Sequence, residues 1–344
     1  WKTEIPLPGF NSPVIWNSRI YISGATKEER RVFCFDFNNG KLLWEKKIDF
    51  FRGKLPFAGD DTGYAAPTLA SDGFVYALFG TQELVCLDSM GNIKWQKIIE
   101  PMDNPYGYAS SLLVYSNLLF IQFDQETVGK IMALHTDSGN TAWETSRPVM
   151  PGWSSPALFN INNSLQLVLT ANPIIAGYNP FTGAEIWRME GMEGEVAPSA
   201  AFDKFIFAAN EYASLMAIDP ANNSIIWQEY DELPDVSSPV AQNGLLFEST
   251  AAGMILCYDC NNGKKLWKHQ TETGFYSSPV ITDSAVYFTD LKGTVYVFAA
   301  ARGKKLLSKN QMGENMSATP AFYKQKIIFR SDKFLYCIGE NKKQ

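Results

Sequence analysis

The chain has 344 residues, of which 46% are hydrophobic and 14% aromatic, so it is globular and not disordered. Its 30 basic and 36 acidic residues give a net charge of −6 with no long run of either sign, which argues against nucleic acid or an anionic membrane surface as the main partner. No apolar stretch approaches the ~20 residues of a membrane helix, so no transmembrane segment is expected.

In chain order, Trp1-Lys2-Thr3-Glu4-Ile5 comes first and reads as an isolated strand. Asn11-Ser12-Pro13-Val14 then opens an apolar run (strand A), and Arg19-Ile20-Tyr21-Ile22 follows a turn (strand B). Val32-Phe33-Cys34-Phe35-Asp36 is strand C, and Gly40 turns into a strand carrying Trp44 (strand D). The same order returns along the chain. The turn residue and Trp recur as Gly91–Trp95, Gly139–Trp143, Gly183–Trp187, Asn223–Trp227 and Gly263–Trp267. Gly303–Leu307 reads as a copy that has lost the ring, and the steps between these positions are 51, 48, 44, 40, 40 and 40 residues.

A period of about 40–50 residues marks a repeat architecture. Runs of Val, Ile, Phe and Tyr between Gly, Asn, Asp and Ser clusters are strand signals, and no helix is evident. The small-polar and Pro element opening strand A occurs eight times, the last at Ala318-Thr319-Pro320-Ala321. The expected fold is therefore all-β: an eight-bladed propeller of four-stranded blades, one domain over 1–344. The last unit stops after Phe334-Leu335-Tyr336-Cys337-Ile338, so the N-terminal strand is expected to complete it and close the ring.

The Asp ending strand C (Asp36, Asp88, Asp219, Asp259) suits an Asx turn, with His135 and Asn179 in the same slot. Each Trp is expected to dock between blades. Cys34, Cys86, Cys257 and Cys337 share one register and read as small buried residues, too far apart for disulfides. Cys257-x-x-Cys260 has no second pair beside it to support zinc or redox chemistry.

The pattern Asp-x-x-x-Gly-x-x-x-Trp after an apolar strand, with Ser-Ser-Pro-Val before it, resembles the pyrroloquinoline-quinone repeat over the whole chain. That family contains quinone- and Ca²⁺-dependent dehydrogenases and small non-enzymatic propellers, the BamB-like members. The length and the lack of insertions are similar to the second group. The adjacent cysteine pair of the dehydrogenases is missing, and no calcium set can be matched, so none is carried over.

The mouth of the axial channel is where function is expected. The residue preceding each small-polar element is Phe10, Tyr64, Tyr108, Trp153, Glu195, Val236, Tyr276 or Ser317. Ends of strand B supply Asp124, Gln125, Asn172, Asn210, Glu211, Asp290 and Asp332, and connections into strand A supply Asp60, Asp61, Glu193 and Asp235. An aromatic arc with acidic neighbours suits a planar or sugar-like ligand, a cation, or a peptide carrying Lys or Arg. The long connections 49–63, 100–107 and 146–152 fall on the same face, the first with Phe50, Phe51, Leu55 and Phe57. His135 and His269 sit in repeat positions, and no nucleophile elbow or phosphate loop occurs.

The resulting expectation is a non-enzymatic, monomeric binding propeller that engages a protein or small ligand at the mouth. No catalytic residue, metal site or cofactor is assigned. One alternative is a dehydrogenase using pyrroloquinoline quinone and calcium; another is a carbohydrate-active enzyme using mouth carboxylates. The chain begins at Trp1 and not at a Met, so export is expected after removal of a leader, to the periplasm, cell envelope or exterior, with lipid anchoring left open.

Overall fold

Strands B and C are apolar on both faces because each blade is sandwiched between two others. Leu118–Asp124 and Glu83–Leu87 are buried along their whole length. Strand D instead alternates, as in Ile93–Ile98, because one side faces solvent. In the computed structural model, which describes residues 1–50 and 53–339, 32 strands form eight antiparallel four-stranded sheets and no helix is present among the described residues. The eight blades form the expected propeller.

Blade 1 comprises Val14–Trp16, Arg19–Ala25, Arg30–Asp36 and Leu42–Ile48, and blades 2 to 7 follow in chain order over 70–98, 113–146, 157–190, 201–229, 240–270 and 280–311. Blade 8 takes three strands from the C-terminal region, Ala321–Tyr323, Lys326–Arg330 and Phe334–Gly339, and its outer strand is Lys2–Glu4. Lys2 pairs with Tyr336, Thr3 with Leu335 and Glu4 with Phe334. The ring therefore leaves no open sheet edge at its junction.

The core is eight apolar seams, one per blade interface. Tyr76, Leu84 and Cys86 of blade 2 pack on Leu119, Ile121 and Phe123 of blade 3. At the closing seam Ile20, Phe33 and Phe35 meet Ile328 and Leu335.

The recurring Trp ties six of the eight blades to the next. Its indole N–H donates to a carbonyl in the neighbouring C–D turn: Trp1 to Phe37 at 3.0 Å, Trp44 to Ser89 at 2.9 Å and Trp95 to Thr136 at 2.8 Å. In five of these six the ring lies against the turn glycine of that neighbour, Gly303 being the exception. At Gly139 (φ +71°) a Cβ would fall 2.7 Å from the Trp95 ring. Blade 5 has Asn223 at this position, and Trp187 of blade 4 turns away from it. Trp187 lies over Gly177 of its own sheet and donates to Gln166 Oε1 at 2.8 Å.

The residue paired with the Trp on strand C is small: Cys34, Cys86, Ala133, Gly177, Ala217 and Cys257. That explains the cysteine register. All five cysteines are buried and free. Burial pushes the Cys257 and Cys260 thiols up to about 12, so neither is a ready thiolate.

One sequence expectation shifts in blade 7. Ser308, not Leu307, pairs with Val297 at the Trp position, because the turn there is one residue longer. The Asx role holds for Asp36, Asp88, Asp219, Asp259 and Asn179, whose side-chain oxygens accept turn N–H groups. At His135 the main chain holds the turn, with Gly139 N–H donating to its carbonyl at 2.8 Å.

Candidate functional site

Strand A lines the axis, and its alternation decides which side chains face the channel. Eight inter-blade hydrogen bonds define the register. Ser12 N–H donates to Thr68 Oγ1, Thr68 N–H to Ser111 Oγ, and Ser111 N–H to Ser155 Oγ, at 2.9–3.1 Å. Ser199, Ser238, Ser278 and Thr319 continue the circuit. Thr319 N–H closes it on Ser12 Oγ at 3.1 Å. Two residues before each of these hydroxyls stands one channel residue per blade: Phe10, Ala66, Ala109, Trp153, Ala197, Val236, Tyr276 and Ser317. All eight line a single cavity of about 300 Å³.

This register corrects the expected mouth set in three blades. Pro67 and Pro198 occupy the buried position of Asn11 and Ser154, two places earlier than Pro13 and Pro156. The channel residues there are Ala66 and Ala197, not Tyr64 and Glu195. In blade 3 the shift is one residue, which reverses the side chain. Tyr108 therefore enters the core between blades 2 and 3, and its hydroxyl donates to the Gln122 carbonyl at 2.8 Å. Tyr64 is half-buried against the seam of blades 1 and 2, with its hydroxyl 3.3 Å from the Pro56 carbonyl. Glu195 still reaches the cavity from the rim.

The rim comes from the loops entering strand A: Asp61, Thr62, Tyr106, Glu195 and Asp235. Two long connections interlock there, with Gly59 N–H donating to the Tyr106 carbonyl at 3.0 Å. Trp153 Nε1–H donates to the Gly107 carbonyl at 3.0 Å, and the Tyr106 and Trp153 rings stand 5.4 Å apart. Tyr106 hydroxyl donates to Glu195 Oε1 at 2.9 Å. Tyr106 was not singled out in the sequence because only the interlock carries it over the axis. Phe57 is exposed in this connection, while Phe51 lies outside the described residues.

The cavity is electronegative. Asp61, Glu195 and Asp235 line it, and among the described residues no Lys, Arg or His does. Burial raises the Asp235 carboxyl, and Glu211, Glu195 and Asp61 raise it further. Tyr276 is also raised by burial, then by Asp61 and Asp235. A second cleft, of about 510 Å³, shares Phe10, Asp61, Tyr276 and Ser317 and adds Asp60, Lys292 and Asp332.

The remaining predicted polar residues do structural work. Asp124 is fully buried and accepts from Arg147 Nη1 at 2.5 Å and from Gln122 Nε2 at 2.7 Å. Asn210 is buried and donates to the Glu193 carbonyl; Asn172 donates to the Gly194 carbonyl at 3.1 Å. Asp290 is buried and accepts from Lys292 and Thr294 N–H in an Asx turn. These three predicted side chains are spent on loop closure. Glu211 is exposed and stays near the rim through its effect on Asp235. Among the described residues no group of three or more His, Cys, Asp or Glu is placed to hold a metal ion. No helix of the described residues is long and apolar enough to cross a membrane.

The family model described as outer membrane protein assembly factor BamB matches residues 1–155 and 231–334. No curated protein matches the sequence. Among solved structures, BamB from Moraxella catarrhalis is similar at TM-score 0.71 and 14% identity, over 100% of this chain and 98% of that one. Quinohemoprotein alcohol dehydrogenase from Comamonas testosteroni gives 0.76 and 13%, over 99% and 76%. A europium-containing methanol dehydrogenase gives 0.74 and 11%, over 96% and 84%. At these identities the structural likenesses speak for the fold alone. The eight-fold repeat, the closed ring and the family match over most of the chain agree: the protein belongs to the BamB family of pyrroloquinoline-quinone-like propellers.

Proposed function

We propose that this propeller is a non-enzymatic binding scaffold of the cell envelope that engages a partner through the axial mouth. The observation that carries the reading is the single cavity to which every blade contributes one residue, walled by Phe10, Tyr106, Trp153 and Tyr276. Aromatic side chains left partly exposed around a concavity are a recognition surface.

The dehydrogenase reading fits these residues poorly. Pyrroloquinoline quinone is a polycarboxylate, and the cavity opposes it with three carboxylates and, among the described residues, no basic side chain. Among the described residues the carboxylates also do not gather into a set able to hold calcium, which takes six to eight oxygens. A glycosidase reading requires one carboxyl to act as acid beside an ionised partner. Asp235 has the raised pKa such an acid needs, but the family model that the chain matches is described as an assembly factor, which supports the scaffold reading.

A photo-crosslinking residue at position 106, compared with one at Ile226 on the exposed outer strand, tests the proposal in envelope extracts. One discrete product formed from position 106 and not from 226 is expected. Equal labelling from both, or none from 106, would overturn it.

A further inference from the structure

We infer that the axial cavity is a receptor for one organic cation, the ammonium or guanidinium head of a Lys or Arg side chain presented by the partner. The inference rests on the binding reading above and names the chemistry that the mouth selects.

Two independent features converge. The first is aromatic. Phe10, Trp153 and Tyr276 come from channel positions of blades 1, 4 and 7, and Tyr106 leans over them from the rim. The ring faces and edges thus surround the axis and do not form one wall. Blades 2, 3 and 5 supply only Ala66, Ala109 and Ala197, which leaves the space open. Aromatic faces attract cations through their quadrupole, most strongly where water is excluded. An alkyl stem is accepted by the same rings and by Val236.

The second feature is the uncompensated field. Asp61, Glu195 and Asp235 line the cavity, and none of its lining residues among those described is basic. Two enclosed charge pairs elsewhere in the chain, Asp124–Arg147 and Arg30–Glu83, are by contrast compensated. At the mouth the carboxylates act on one another, and each raises the proton affinity of Asp235. Lys292 lies in the adjoining cleft, on the side of Asp60 and Asp332. A bound cation relieves the repulsion at the mouth, whereas an anion or a neutral ligand does not. The volume of about 300 Å³ accommodates one side-chain head together with its alkyl stem.

The test is calorimetry, with Trp fluorescence in parallel, on the full chain. The probes are the capped tripeptides Gly-Lys-Gly, Gly-Arg-Gly and Gly-Gln-Gly, with n-butylammonium and methylguanidinium as free cations. Saturable binding of the Lys or Arg peptide, at least about tenfold tighter than the Gln peptide, is expected. It should weaken about tenfold in Asp235→Asn and in Trp153→Leu, with melting temperatures held as the folding control. It should also weaken as salt rises. Peptides binding better than the free cations would place the cation on a polypeptide; the reverse would assign the site to a free amine and overturn the partner side chain. Equal binding of the Gln peptide, or affinity unchanged in Asp61→Asn/Glu195→Gln/Asp235→Asn, would overturn the cation inference. If crosslinking from position 106 persists in that case, the mouth still binds a partner and only the ligand class is wrong. If crosslinking is also lost, both readings fail.

Discussion

Thr319 donates its backbone N–H to Ser12 Oγ at 3.1 Å, 307 positions away in the chain. This bond is the last of eight that run around the axis, one from each blade to the next. The circuit holds the inner strands in phase, and so places the eight channel residues around one cavity.

Removing one acceptor should break the circuit. Ser12→Ala leaves the Thr319 N–H without its partner and is expected to cost about 1–3 kcal/mol. Ser12→Thr should stay close to wild type, because Thr68 and Thr319 already serve as acceptors. Urea unfolding at constant m-value measures both.

The Trp-on-glycine contact makes a second prediction. Gly139→Ala forces a Cβ into the Trp95 ring at a backbone φ of +71° and should destabilise by about 1–3 kcal/mol. Gly303→Ala, where no atom lies within 4 Å, should change stability by less than about 0.5 kcal/mol. Equal effects in thermal melts would refute the docking argument.

Asp124 is predicted to matter for stability and not for ligand. Asp124→Ala strands the buried Arg147 guanidinium and should cost about 3–5 kcal/mol. Asp124→Ala/Arg147→Met should recover part of that loss, read by denaturant midpoint.

A fourth prediction concerns pH. Glu248 is fully buried in blade 6, accepts from the Tyr258 hydroxyl at 3.0 Å, and is raised by burial to about 8. Lys265 pulls this value down, while Glu229 and Glu232 push it up. A carboxyl raised on folding favours the native state below its unfolded value near 4.5, and that contribution is lost as pH rises through about 8. Stability should therefore fall between pH 5 and 8, by an amount on the order of a few kcal/mol. Glu248→Gln should flatten the profile; an unchanged slope would refute the assignment.

Strand count, blade count and ring closure were legible in the sequence, because they depend on local patterning. A strand buried on both faces must be apolar throughout, a tight turn calls for Gly or Asp, and a lone Trp1–Ile5 strand matches a unit that lacks its fourth. Phe10, Trp153 and Tyr276 were legible as channel residues, and Asp235 as an acid of the mouth, for the same reason, whereas Glu195 lines the cavity from the rim and not from the register expected of it. The phase of strand A was not. Proline marks it in most blades, yet Pro67 and Pro198 sit two places away from the others, and blade 3 has none. A one-residue error there turns Tyr108 from the channel into the core. Only hydrogen bonds between strands distant in the chain set that phase, just as only the loop interlock brings Tyr106 to Glu195 across 89 residues. Local composition determined which strands form; the meeting of distant backbones decided which way their side chains point.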